Sequence, residues 1–192
     1  MNHTTYQAIR HTLRTGDLIA FGGQTFVSAT IKTITKSNVS HVGMVLRVNT
    51  EMASVPIIMI VESTSVGAGF SGVRISRLST RVASYDGDLW ILPIDSPINI
   101  PGTETFLVSM LGIPYDYKQA IGSAVDFSFR PDQQEDLSKL FCSELCNEAY
   151  KRYLLNSNEI PANSSEQTPI DVCRLPIYAD VYQLVGTHQE LS

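Results

Sequence analysis

The sequence predicts an α+β domain with a largely antiparallel sheet. Three observations carry that expectation. Apolar runs of strand length, closed by turn residues, fill the first half of the chain. Helical spacing takes over after Pro97. The length, 192 residues, suits one domain with a substantial core.

Each element follows from local pattern. Tyr6, Ile9 and Leu13 have the spacing of a short helix that stops at the Gly16-Asp17 turn. Residues 18–21 read as a strand closed by Gly22-Gly23. Phe26, Val27, Thr30, Ile31 and Ile34 predict a helix over 25–36. Residues 41–48 and 57–62 read as strands of a hairpin with a long loop. Residues 63–72 are rich in Gly and Ser but lack the Gly-Lys-Ser/Thr ending of a phosphate loop, so they read as a connection. Strands are expected at 73–78 and 89–94, with Pro93 and Pro97 ending the strand-rich half. Helices are expected at 103–111, after Tyr115-Asp116, and over 141–155. Residues 156–167 read as a surface loop. Residues 169–173 suggest a helical turn capped by Thr168. The pattern over 178–185 fits helix and strand equally.

Composition narrows the function. Hydrophobic residues make up 43% and charged residues 17%, which disfavours disorder. Net charge is −5 and no basic patch stands out, so neither nucleic acid nor anionic lipid is an expected partner. Three cysteines give no disulfide framework. Residues 1–14 resemble neither a secretory signal nor a membrane span. The apolar run 55–61 is too short to cross a bilayer. A cytoplasmic location is therefore the default expectation, with association with a phage particle as another route to a cell wall. Without a secretory signal, the glycosylation matches at Asn2, Asn38 and Asn163 carry little weight.

The most informative stretch is Phe141-Cys142-Ser143-Glu144-Leu145-Cys146, which puts a cysteine at the start of a helix. N–H groups there lack intrahelical partners, and the dipole favours an anion, so a thiolate is favoured too. The other reading is a cysteine that packs as a small hydrophobe. A nucleophile needs a base, and the base an orienting group. His3, His11 and His188 lie in polar segments and read as solvated. His41 opens an apolar strand, as a base on a rigid platform or as a core histidine. Glu62 ends the run Ile57-Ile58-Met59-Ile60-Val61, where burial demands a partner. At the open end of a hairpin, His41 comes beside Glu62 or Ser63. Cys142 and Cys146, at i and i+4, share a helix face, but no nearby Cys or His completes a zinc set. No metal and no cofactor is expected. Cys146 and Cys173 read as core, and Glu144 as a capping residue.

Six ordered pieces together resemble the circularly permuted papain-like enzymes of the NlpC/P60 superfamily, in particular the YiiX-like permuted amidase group. They are Thr15-Gly16-Asp17-Leu18-Ile19, Ser40-His41-Val42-Gly43-Met44-Val45, Val61-Glu62-Ser63, Gly112-Ile113-Pro114-Tyr115-Asp116, Phe141-Cys142-Ser143-Glu144-Leu145 and Thr168-Pro169-Ile170-Asp171. They span about residues 15–175 of a single domain covering 1–192. The resemblance implies a reordered papain-like fold, with the histidine strand first and the cysteine helix last. It implies a triad of Cys142 as nucleophile, His41 as base and Glu62 as orienting acid, with Tyr115 in the active-site wall or oxyanion site. It also implies hydrolysis or transfer of an acyl group, with cell-wall peptide amides as the first expected substrate and lipid acyl groups as the second. A cell-wall-binding or virion structural module that keeps the fold without the activity is the non-enzyme alternative.

Overall fold

The computed structural model describes residues 2–23, 37–49, 55–64, 70–114, 141–156, 158, 160–161 and 167–186. The expected helices over 25–36 and after Tyr115-Asp116 lie outside these residues, as does most of the 156–167 loop. The elements in chain order are β1 (Asn2–Thr4), α1 (Tyr6–Ile9), β2 (Leu18–Gly23), β3 (His41–Val48), β4 (Ile57–Thr64), β5 (Gly72–Arg77), α2 (Leu78–Ala83), β6 (Gly87–Leu92), α3 (Ile100–Ser109), α4 (Cys142–Tyr153), α5 (Pro169–Cys173) and β7 (Tyr182–Leu184).

The class is α+β, as the pattern predicts. The seven strands form one sheet in the order β1-β7-β6-β2-β3-β4-β5. Its central pairings are antiparallel, but β1 pairs with β7 in parallel, so the sheet is mixed rather than wholly antiparallel. That pairing joins the two ends of the described chain. The first helix is shorter than its apolar spacing suggests, because Leu13 is buried from the segment after it. The 178–185 segment resolves to a three-residue strand. Leu78, expected to end a strand, instead opens the helix α2, whose remaining residues carry no predicted element.

Strand alternation sorts the core into two layers. Leu18, Ala20, Val42, Met44 and Val61 face a cluster that includes Phe106, Leu107, Leu145, Cys146, Tyr150 and Val172. Ile19, Phe21, Val45, Ile60 and Ile91 face Tyr6, Ile9, Leu13, Leu78 and Val82. The helix α4 therefore covers one face, and α1 and α2 cover the other. Its first nine residues, Cys142 to Tyr150, are all buried, polar ones included. Glu148 is held there by Lys151 and Arg152 at 3.4 and 2.8 Å.

One hydrogen bond pins α4 to the sheet. The fully buried Tyr150 hydroxyl donates to the Gly16 carbonyl at 2.7 Å, just before β2. Tyr150→Phe strands that carbonyl without adding volume. We expect a loss of about 1–2 kcal/mol in denaturant unfolding, with the slope unchanged. An unchanged midpoint would show that the bond contributes nothing net.

Candidate active site

The site is built where β3 begins. Phe141, in extended conformation, precedes the first turn of α4. Its N–H donates to Glu144 Oε2 at 3.2 Å, so Glu144 caps the helix as expected. Ser143 Oγ donates to the Gln167 carbonyl at 2.5 Å, which ties the same turn to the α5 side of the chain. There Asp171 accepts the Thr168 N–H at 3.0 Å, completing the cap of α5. Cys142 occupies the first helical position and is fully buried.

His41 Nε2 and Glu62 Oε2 lie 2.8 Å apart. The Cys142 thiol lies beside the ring, close enough to act on its titration. With Nε2 engaged by Glu62, Nδ1 is the nitrogen open to sulfur. Cys142, His41 and Glu62 thus come together as the sequence predicts. Phe21, whose ring centroid lies 5.2 Å from that of His41, belongs to the opposite core layer from Cys142. The three side chains therefore gather around the start of β3, where one ring can meet groups from both layers.

The hairpin register differs from the expected one by a diagonal step. The ladder runs from Val48↔Ile57 to Met44↔Val61. Continued, it sets Glu62 opposite Gly43 and His41 opposite Thr64. His41 reaches Glu62 across the diagonal, within reach of a long side chain. Gly43 leaves that path open: a Cβ there would stand 2.8 Å from Ile60 Cδ1 and 3.2 Å from Glu62 Cβ. Its place two residues after His41 was the available signal.

Two arginines complete the site, and the sequence reading missed both. Arg74 lies directly opposite Glu62 on β5 and donates to Oε1 from Nη2 at 3.0 Å and Nε at 3.3 Å. Arg81, from α2, donates its Nε to the same oxygen at 2.9 Å. The signal was Glu62 itself, a buried carboxylate that one histidine does not saturate.

The electrostatics follow from these contacts. Burial alone would push the Glu62 carboxyl up, but the hydrogen bond and charge of His41, joined by Arg81, hold it far below the usual range. Burial alone would lower His41, yet the neighbouring Cys142 and then the Glu62 carboxylate raise it to about 9. Imidazolium is thus the resting form at neutral pH. Burial pushes Cys146 well up and Cys173 to about 12, so both stay thiols. This agrees with their reading as core residues.

Tyr115 lies outside the described residues. The front of its motif is in place: Pro114 bridges Gly72, and the Val73 N–H donates to the Ile113 carbonyl at 2.8 Å. Only glycine admits that approach, since a Cβ at position 72 would lie 2.5 Å from Ile113 O. Gly72 pairs with Thr64, so Pro114 ends the row of residues that continues through Thr64 to His41.

No protein-family model matches the chain, and no curated protein matches it. Among solved structures, it is similar to the crystal structure of the metalloprotein yiiX from Escherichia coli O157:H7, DUF1105. The TM-score is 0.59 at 18% identity, over 90% of this chain and 96% of that one. The fold is YiiX-like. No helix among the described residues is long and apolar enough to cross a membrane.

The site makes a pH prediction with a definite sign. His41 rises from 6.5 to about 9 on folding, so its contribution to stability is full below 6.5 and is lost as pH rises through about 9. Glu62 falls from 4.5, so its contribution is full above 4.5 and is lost as pH drops through its folded value. Together they stabilise most between 4.5 and 6.5. NMR titration of the His41 ring should give a midpoint near 9. Glu62→Gln should lower it by about one unit or more, because the favouring charge is gone and two guanidinium groups remain. A midpoint unmoved by Glu62→Gln would remove the carboxylate from the pair.

Proposed function

We propose that the chain is a cysteine-dependent acyl hydrolase of the circularly permuted papain-like, NlpC/P60 type. Its preferred substrate class is the peptide amide of bacterial cell walls. The observation that carries this reading is the His41 ring, hydrogen-bonded through Nε2 to a buried carboxylate and set beside a helix-start thiol. The chain order, histidine strand, acidic strand, then cysteine helix, is that of the permuted family.

The chemistry follows from the groups present. The Cys142 sulfur attacks the acyl carbon, and the carbonyl electrons move to oxygen. The Cys142 N–H, at the open end of α4, is placed to stabilise that oxyanion; such a donor is worth about 3–4 kcal/mol. His41 gives its proton to the leaving amine as the C–N bond breaks. It then takes a proton from water as the water attacks the thioester. The C–S bond breaks, the acid leaves, and the Cys142 sulfur and the protonated His41 ring are restored for the next cycle. Glu62 keeps its charge throughout and holds the ring.

The neighbour is called a metalloprotein. Here Glu62 already commits both oxygens to cationic side chains. No group of three or more His, Cys, Asp or Glu among the described residues suits a metal ion. These residues do not fit a metal centre.

The test is a panel of peptide amides, esters, thioesters and lipid acyl substrates, with binding measured beside turnover. Cys142→Ala and His41→Ala should each abolish turnover, since nucleophile and base act as one unit. Glu62→Gln should cost about 10–1,000-fold in kcat, because orientation and charge are lost while the nucleophile stays. Turnover confined to lipid acyl substrates would replace the amidase reading with the lipid one. Binding without turnover in the native chain would make it a recognition module.

A further inference from the structure

Arg81 is built into the site more firmly than a surface ion pair requires. It comes from α2, on the sheet face opposite α4, and its side chain is 12% exposed. Its guanidinium carbon lies 4.5 Å from the Phe21 ring centroid and 4.9 Å from that of Tyr85. The two rings meet edge to face at 4.9 Å, and Phe21 also touches His41. The guanidinium plane is therefore fixed by aromatic contacts before it meets Glu62. Its Nε then takes Oε1 at 2.9 Å, which leaves Oε2 to face His41. Arg74 shares Oε1 but is 31% exposed and lacks this packing.

We propose that Arg81 is a positioning residue, which clamps Glu62 so that Oε2 alone meets the imidazole and thereby fixes the His41 ring toward Cys142. Without it, the carboxylate can turn about its last torsion, which is broad for glutamate. The ring then loses the partner that sets its tautomer and direction. Among the described residues, Cys142 on α4 faces the ring, and Arg74 and Arg81 face the carboxylate. Tyr85, pushed up to about 12 chiefly by burial, stays neutral. The inference deepens the proposed function and rests on it for its catalytic meaning, but the geometry it describes can be read without a substrate.

The experiment follows the His41 Nε2 proton by NMR at pH 7 in the native chain, Arg81→Met, Arg81→Lys and Arg74→Met. A proton held against a buried carboxylate resonates downfield and exchanges slowly. Arg81→Met should speed its exchange at least about tenfold or remove the signal. Arg81→Lys keeps the charge and protects against loss of folding, but it lacks the planar stack; at least about threefold faster exchange is expected. Arg74→Met should change exchange less than either. On a substrate that the native chain turns over, Arg81→Met should lower kcat at least about tenfold with KM within about twofold. Folded Arg81 variants with native exchange overturn the proposal, even if hydrolysis is found. Arg81-dependent exchange in a chain that hydrolyses nothing leaves the clamp standing and overturns the proposed function instead.

Discussion

The structure around the site depends on one buried negative charge. Glu62 has no solvent exposure and follows the apolar run of β4. A carboxylate in that place is tolerated only when hydrogen-bonded cations surround it. Three converge on it: His41 from β3, Arg74 from β5 and Arg81 from α2. The charge thus couples two strands and a helix, and it dictates which residues may surround it. Gly43 has no side chain because the diagonal to His41 must stay open.

The same charge explains the division of labour among ionisable groups. Cys142, Cys146 and Cys173 all lie in or against one core layer. Only Cys142 has a cationic ring beside it. Burial governs the other two and keeps them protonated. A thiol's role in this fold is set less by its distance along the helix than by access to the His41 ring. One helical turn, from Cys142 to Cys146, separates the two environments.

Much of this was legible in the sequence. His41 opens an apolar strand, Glu62 closes an apolar run and Cys142 opens a helix, and those boundary positions are what mark them. The strands of the hairpin and the helix after Phe141 follow directly from hydrophobic period. Arg74 and Arg81 were not legible, because alternation through Val73, Ile75 and Ser76 makes Arg74 read as a solvent-facing residue. Helix α2 is six residues long, too short for its period to separate it from the strand before it. The parallel β1–β7 pair was equally hidden: Asn2-His3-Thr4 has no apolar pattern, and its pairing depends on a partner about 180 residues away. The diagonal between His41 and Glu62 needed a register, which the hydrophobic pattern of the two strands does not fix to one residue.

The central claim is that His41 activates Cys142 and neither of the other thiols. Competition alkylation with iodoacetamide at pH 7, followed by peptide mapping, measures it most directly. The account predicts that Cys142 reacts first in the native chain, that Cys146 and Cys173 lag by at least about tenfold, and that His41→Ala removes the difference. Equal, slow modification of all three cysteines, or a Cys142 rate indifferent to His41→Ala, would contradict it.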